Sequence, residues 1–162
     1  MKNFKLKGLK YNKGIYEFYN DRYIFFPPKI IEILSSIYGE GVKSLLVWLG
    51  KKAGWNLIQN WEENLKPKNL TDLVELFSEL ISIQGWGELT PREINEELIT
   101  IELKHNISSE LESNSKHICY FINGLLSGFG EFALYKVKTT ETECCFDNKE
   151  LDSCIFTIKK VK

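Results

Sequence analysis

Residues 116–141 read KHICYFINGLLSGFGEFALYKVKTTE, and within this stretch the apolar period changes. In the first part Ile118, Ile122, Leu125, Phe129 and Phe132 recur at the spacing of one helix face. From Leu134 the text becomes LYKVKTTE, where Tyr135, Val137, Thr139 and Glu141 share a face by alternation, as on a strand. A second alternating run, CIFTIKKV at 154–161, places Cys154, Phe156 and Ile158 together. The acidic loop around Cys144 to Asp152 joins the two runs, so a helix is followed by a hairpin. A helix covering such a sheet is an α+β arrangement.

Working back toward the N-terminus, LITIEL at 98–103 alternates Ile99, Ile101 and Leu103 against Thr100 and Glu102, the pattern of a half-buried strand. Ahead of it, Asn69 can cap a helix with Asp72 in its first turn and Leu73, Leu76, Phe77, Leu80 and Ile81 on its buried side. That helix should stop near Gly85-Trp86-Gly87. The longest predicted helix runs from Val42 through Leu45, Leu46, Leu49, Ala53, Leu57, Ile58 and Trp61 to Leu65, and a turn at Lys66-Pro67-Lys68-Asn69 follows it. Gly50 and Gly54 lie on one stripe of this helix, where another backbone or a ligand could come close; close helix packing is the simpler reading. Pro28 can open a helix to about Tyr38, with Ile30, Ile31, Ile33, Leu34 and Ile37 as its apolar surface, broken by Gly39 and Gly41. Before it, IYEFYNDRYIFF at 15–26 reads as a hairpin turning at Asn20-Asp21 and ended by Pro27-Pro28. The expected architecture is one domain over residues 1–162, an antiparallel sheet with about four helices packed against it.

A chain of 162 residues with 43% apolar and 13% aromatic content can bury one continuous core. A formal charge of −1 offers no general attraction to phosphate backbones or anionic membranes, which argues against a nucleic-acid partner. The basic start MKNFKLKGLKYNKG lacks the apolar run of a signal peptide, and no later segment has the length of a membrane span, so the chain is expected to be cytoplasmic. Reducing conditions there disfavour disulfides. Attention therefore turns to Cys119, Cys144, Cys145 and Cys154 as core residues, metal ligands or nucleophiles.

If Val137 and Ile158 face the core, Glu141 and Cys154 point inward with them. Cys119 lies beside the buried stripe of the preceding helix, and Cys144 opens the loop just after Glu141. Three thiols and a carboxylate can therefore converge between one helix and the mouth of one hairpin. A metal site, inert core thiols and a redox role are all compatible with this pattern. The adjacent Cys144 and Cys145 do not form a Cys-x-x-Cys motif, and the spacing does not fit a familiar iron–sulfur cluster. His105 and His117 have no second histidine at metal-binding spacing and read as surface or capping residues. Glu93, Glu96 and Glu97 read as a solvated run, and Gly124, Gly128 and Gly130 as helix packing rather than a nucleotide loop. No nucleophile elbow, phosphate loop or dinucleotide fingerprint is present, so no enzymatic activity is assigned.

The run His117-Ile118-Cys119-Tyr120-Phe121-Ile122-Asn123-Gly124-Leu125-Leu126-Ser127-Gly128, then Glu141-Thr142-Glu143-Cys144, then Cys154-Ile155-Phe156, resembles the 4-vinyl reductase domain family. That family shares a TRAPP-like ligand-binding fold with the TRAPP vesicle-tethering subunits. The resemblance implies a stand-alone module that binds a small hydrophobic or aromatic molecule, in a regulatory or carrier role. It also implies a structural zinc held by Cys119, Glu141, Cys144 and Cys154, with Cys145 a competing loop thiol, and association as a homodimer. Aromatic residues should line the ligand site, with Phe26, Trp48, Trp86 and Tyr120 as candidates. Two other readings follow from the same family: an accessory to vinyl-group reduction on a tetrapyrrole, and a TRAPP-like assembly subunit. A reductase in its own right is disfavoured, because the sequence carries no nicotinamide, flavin or iron–sulfur signature.

Overall fold

The change of period near Leu134 is where the chain leaves a helix for a sheet. The computed structural model describes residues 8–19, 21–111 and 116–161. Three short strands, β1 (Leu9–Asn12), β2 (Ile15–Phe18) and β3 (Asp21–Tyr23), form an antiparallel meander that leads into α1 (Lys29–Tyr38). The long α2 (Val42–Leu65) and α3 (Leu70–Ile83) follow, then the paired strands β4 (Glu88–Ile94) and β5 (Leu98–Lys104). The chain ends with α4 (Lys116–Leu134), β6 (Val137–Glu143) and β7 (Ser153–Lys160). The last four strands form one antiparallel sheet in the order β4-β5-β7-β6. The fold is α+β, as expected.

Between β5 and β7 one face of that sheet is apolar because register aligns its inward residues. Ile99 pairs with Ile158, Ile101 with Phe156 and Leu103 with Cys154, and all six are completely buried. Each large aliphatic or aromatic side chain so buried contributes about 1.5–3 kcal/mol. α4 covers this face, and Phe129 stacks on Phe77 of α3 with ring centroids 4.0 Å apart. α3 begins where the capping residues say it should: Asn69 Oδ1 accepts from the Asp72 amide at 2.9 Å, and Asp72 Oδ2 accepts from the Lys68 amide at 2.9 Å. It ends at Ile83, just before Gly85 and Gly87, both at positive φ. Its buried side takes in Val74 and Ser78, while Leu73 and Leu76 are only partly buried.

α4 lies between the sheet and α2, and the two helices meet through reciprocal glycines. A Cβ on Gly50 would stand 2.1 Å from the Phe121 carbonyl oxygen, and one on Gly54 would stand 2.0 Å from that of Leu125. From the other side, a Cβ on Gly124 would stand 2.2 Å from the Val47 carbonyl oxygen, and one on Gly128 would stand 2.1 Å from that of Lys51. Backbone touches backbone along this contact, and the packing reading of all four glycines holds. A Lys51–Glu131 ion pair at 2.6 Å lies beside the seam.

Several local expectations are corrected. Tyr135 is not in the strand: Leu134 is still helical, and Tyr135 sits exposed at φ 78° in the turn before β6. Residues 24–28 continue neither β3 nor α1, so the second strand of the hairpin stops at Tyr23, short of the prolines. The apolar surface of α1 is mostly uncovered, with Ile31 buried but Ile33 and Ile37 56% and 70% exposed. β1 and β4 were not legible. β1 is short and carries a lysine, and β4 contains Pro91 among charged residues. Pro91 is tolerated because β4 is an edge strand with a bulge between Pro91 and Glu93. Glu93, Glu96 and Glu97 are exposed, as a solvated run should be. Asn20 of the hairpin turn lies outside the described residues. Among the described residues, no helix is long and apolar enough to cross a membrane.

The helix seam makes a direct prediction. Gly124→Ala sets a methyl against a carbonyl that cannot swing aside, so it should lower unfolding free energy by about 3 kcal/mol, the upper end of ordinary overpacking. Gly41→Ala meets nothing within 4 Å and should shift stability by less than about 1 kcal/mol. Urea unfolding of both variants measures the difference.

Candidate functional site

The mouth of the β6–β7 hairpin gathers thiols because of one extra residue. Glu141 pairs with Phe156, but beyond it the register shifts by one, so that Glu143 faces Ile155. Without this bulge Cys144 would fall on the outer face; with it, Cys144 stands level with Cys154 on the inner face. Cys154 is fully buried opposite Leu103, and Cys119 is fully buried in the first turns of α4. The three sulfurs and a Glu141 carboxylate oxygen lie within 4.8 Å of one another. Cys145 stays outside that group, although its sulfur is 3.5 Å from that of Cys154.

Asn106 completes the surroundings and had no strong sequence signal beyond its place just after a strand end. Its Oδ1 accepts from the Ser108 amide at 3.0 Å, which turns Nδ2 toward the sulfurs of Cys119 at 3.3 Å and Cys154 at 3.8 Å. A fixed N–H donor against two sulfurs favours their charged form. Hydrogen bonding from Cys119, then from Cys145 and Asn106, holds the Cys154 thiol well below the ordinary range despite its burial. Cys119, the donor in that pair, is raised first by the same bond and then by burial. Burial pushes Cys144 and Cys145 up to about 12 and also raises Glu141.

The donor set fits a thiophilic divalent cation. Zn–S bonds near ~2.3 Å imply S···S edges near ~3.8 Å in a tetrahedron, so the present spacing needs only a small contraction. Glu141 Oε1 is buried without a well-formed hydrogen bond among the described residues, an acceptor that a cation would satisfy. The histidines stand apart. His105 is exposed, and His117 Nδ1 lies 2.5 Å from Ser35 Oγ, linking α4 to α1.

A second feature lies on the other side of α4. Residues 23–28, α1, α2, the Gln84–Trp86 corner and Phe121 of α4 enclose a half-open cavity of about 380 Å³. Phe26 and Trp86 line it, and Trp86 stacks on Phe121 with centroids 4.9 Å apart. Trp48 and Tyr120 do not line it. Trp48 is 57% exposed, and Tyr120 packs between His117 and Lys43. Sequence reasoning missed the polar members of the wall. Tyr23 OH and Gln84 Nε2 are buried close to each other, and neither makes a well-formed hydrogen bond among the described residues. Gln84 Oε1 accepts a long bond from Trp86 Nε1, 3.4 Å. Burial, with the Asp21 charge nearby, pushes the Tyr23 hydroxyl up to about 12 and keeps it a donor. An apolar cavity of this size with two convergent polar atoms has the makings of a small-molecule site.

No protein-family model and no curated protein matches the sequence. Solved structures do. The phenol-responsive sensory domain of the transcription activator PoxR, determined with phenol, superposes with a TM-score of 0.77 at 16% identity over 95% of this chain and 85% of that one. A vinyl-4-reductase family protein from Methanocaldococcus jannaschii gives 0.55 at 22% identity, over 86% and 85%. An H-NOX protein from S. oneidensis gives 0.52 at 14% identity, over 82% and 73%. At these identities the likeness is one of fold, and the fold is the one the resemblance to 4-vinyl reductase domains implied.

The electrostatics of the cluster predict its metal-free titration. At pH 7 the ultraviolet thiolate absorbance should correspond to one thiolate per chain, lost in Cys154→Ser. As pH falls the absorbance should disappear well below the ordinary thiol range. All four thiols ionising together near their usual pKa would contradict this account.

Proposed function

We propose that the protein is a binding module for a small hydrophobic or aromatic molecule, serving a regulatory or carrier role, with a structural zinc near its C-terminal hairpin. The observation that carries the binding reading is the cavity itself. Its wall is apolar and aromatic, and it includes two neighbouring polar groups, Tyr23 OH and Gln84 Nε2, that make no well-formed hydrogen bond among the described residues. Such a wall suits a ring that carries one hydrogen-bonding group: the ring stacks beside Trp86, and the polar group satisfies Tyr23 or Gln84. The fold neighbour determined with phenol supports the same class of ligand.

Zinc is the reading for the cluster because thiolates suit it and four protein ligands complete its usual coordination. Cys119, Glu141, Cys144 and Cys154 would hold it, with Asn106 donating to two of the sulfurs from outside. When bound, the metal supplies a cross-link between the start of α4 and the hairpin mouth rather than an open position for catalysis. The exposed isoleucine side of α1 is the surface we assign to a homodimer. Sedimentation at micromolar protein should give twice 18.9 kDa, and Ile37→Glu should return the single-chain mass.

Titration calorimetry with phenol and toluene tests the ligand reading. Saturable binding of at least one is expected, and Trp86→Ala should weaken it tenfold or more. Gln84→Leu should weaken phenol about three- to tenfold, the worth of one hydrogen bond, and leave toluene unchanged. Failure of both aromatics to bind at millimolar concentration would remove this reading. For the metal, protein produced with ample zinc should carry one equivalent per chain by elemental analysis. Cys119→Ser should lower both that content and the melting temperature, and acid should weaken binding, because bound thiols must lose their protons.

A further inference from the structure

Cys145 is the one thiol that the metal reading leaves unused, and its position gives it a chemistry of its own. Its sulfur lies 3.5 Å from that of Cys154, against the ~2.05 Å of a disulfide, so closure requires a shift of about 1.5 Å. Cys145 sits in the turn that follows β6, where Asp147 and Asn148 donate to the Cys144 carbonyl at 3.1 and 3.0 Å. A turn can absorb such a shift more readily than β7, which is paired on both sides. Access differs as well: Cys145 is partly exposed, whereas Cys119, Cys144 and Cys154 are buried. An oxidant from solvent therefore meets Cys145 first, with Cys154 directly behind it.

We propose that Cys145 and Cys154 are an oxidisable pair, converted by hydrogen peroxide to a disulfide that withdraws Cys154 from the four-residue cluster. In the first step the Cys145 thiol passes its proton to the adjacent Cys154 sulfur, 3.5 Å away, and the Cys145 thiolate so formed attacks one peroxide oxygen. The O–O bond breaks, and the departing hydroxide takes the proton back from Cys154 as water, leaving a sulfenic acid on Cys145. In the second step the Cys154 thiolate attacks the sulfenic sulfur. The S–S bond forms, the S–O bond breaks, and the hydroxide that leaves takes a proton from solvent as water. Two thiols lose two electrons in all, and one peroxide becomes two waters. Cys119, Cys144 and Glu141 would then remain, a set one thiolate short and poorer at holding a thiophilic cation. The site becomes one that releases its metal on oxidation.

The oxidation step stands without zinc; only the release rests on the zinc reading, and the two are separable. Full-length, metal-free protein is treated with hydrogen peroxide in slight excess, blocked with an alkylating agent, and digested without reductant. Mass spectrometry should find Cys145 joined to Cys154 in most chains, and dithiothreitol should reverse the link. Cys145→Ser, a change at a partly exposed turn residue, should abolish the link while keeping the circular dichroism of the folded protein. In zinc-loaded protein the same treatment should liberate metal to a chromogenic chelator in the parent chain, and at least fivefold more slowly in Cys145→Ser. A disulfide between Cys154 and Cys119 or Cys144, or sulfinic acid on Cys145 with no cross-link, would overturn the pairing. A Cys145–Cys154 link in protein that never takes up zinc would leave the pair standing and remove the metal reading instead. Zinc release at equal rates in both chains would overturn the switch.

Discussion

α2 and α4 touch backbone to backbone, where Gly50, Gly54, Gly124 and Gly128 stand in place of residues with side chains on both helices. Two helices that meet at their backbones lose nearly all freedom to slide or roll, since any rotation drives a Cβ-bearing residue into the neighbouring carbonyls. With α2 holding one side of α4, its other sides are committed to the core, where Ile118, Cys119, Ile122, Leu126 and Phe129 are buried and Gly130 lies against Ile158 and Val137 of the sheet. The helix register is thereby fixed along its length. That register sets where Cys119 and Phe121 stand, and each of these belongs to a different site.

Cys119 faces the hairpin mouth, and the thiol cluster depends on a second constraint there, the bulge after Glu141. A regular ladder would have sent Cys144 to the outer face, opposite in direction to Cys154. The extra residue reverses the parity and brings both to the same side. Asn106, tied by the Ser108 amide, then supplies a donor from a third element. The arrangement gathers ionisable sulfur in a buried place and gives its charge a hydrogen-bonded home at Cys154, while that bond keeps Cys119 protonated and burial keeps Cys144 and Cys145 so. A cluster of that kind is poised for a cation, and its partly exposed neighbour Cys145 is poised for oxidants.

Phe121, two residues further along α4, lines the cavity on the other side and stacks on Trp86. The Trp86 carbonyl accepts from the Ile107 amide at 3.2 Å, and Asn106 is the residue before it. Cavity and cluster thus share both a helix and a corner of the chain. The cavity wall formed by residues 23–28 and α1 is the least covered part of the fold, with Phe25, Phe26 and Ile37 all more than half exposed. A site with one rigid wall and one open wall can admit an apolar guest without opening the core.

The sequence by itself determined the elements whose pattern is local. The 3.6-residue period of α4, the alternation of β5 and β7, the Asn69 cap and the glycine stripes of α2 and α4 each follow from nearest-neighbour geometry, and each was legible. Alternation also pointed Glu141 and Cys154 inward, so the four-residue cluster could be expected before its geometry was known. What depended on partners was hidden. β4 is a strand because β5 offers it an edge despite Pro91, and Ile33 and Ile37 of α1 stay exposed because nothing among the described residues covers them. Cys144 turns inward because of a bulge that no residue type announces, and Tyr23 and Gln84 meet across a cavity from positions about sixty residues apart. Periodicity reports which face of an element is apolar; only tertiary packing decides what that face meets, because the energy of a contact belongs to both of its sides.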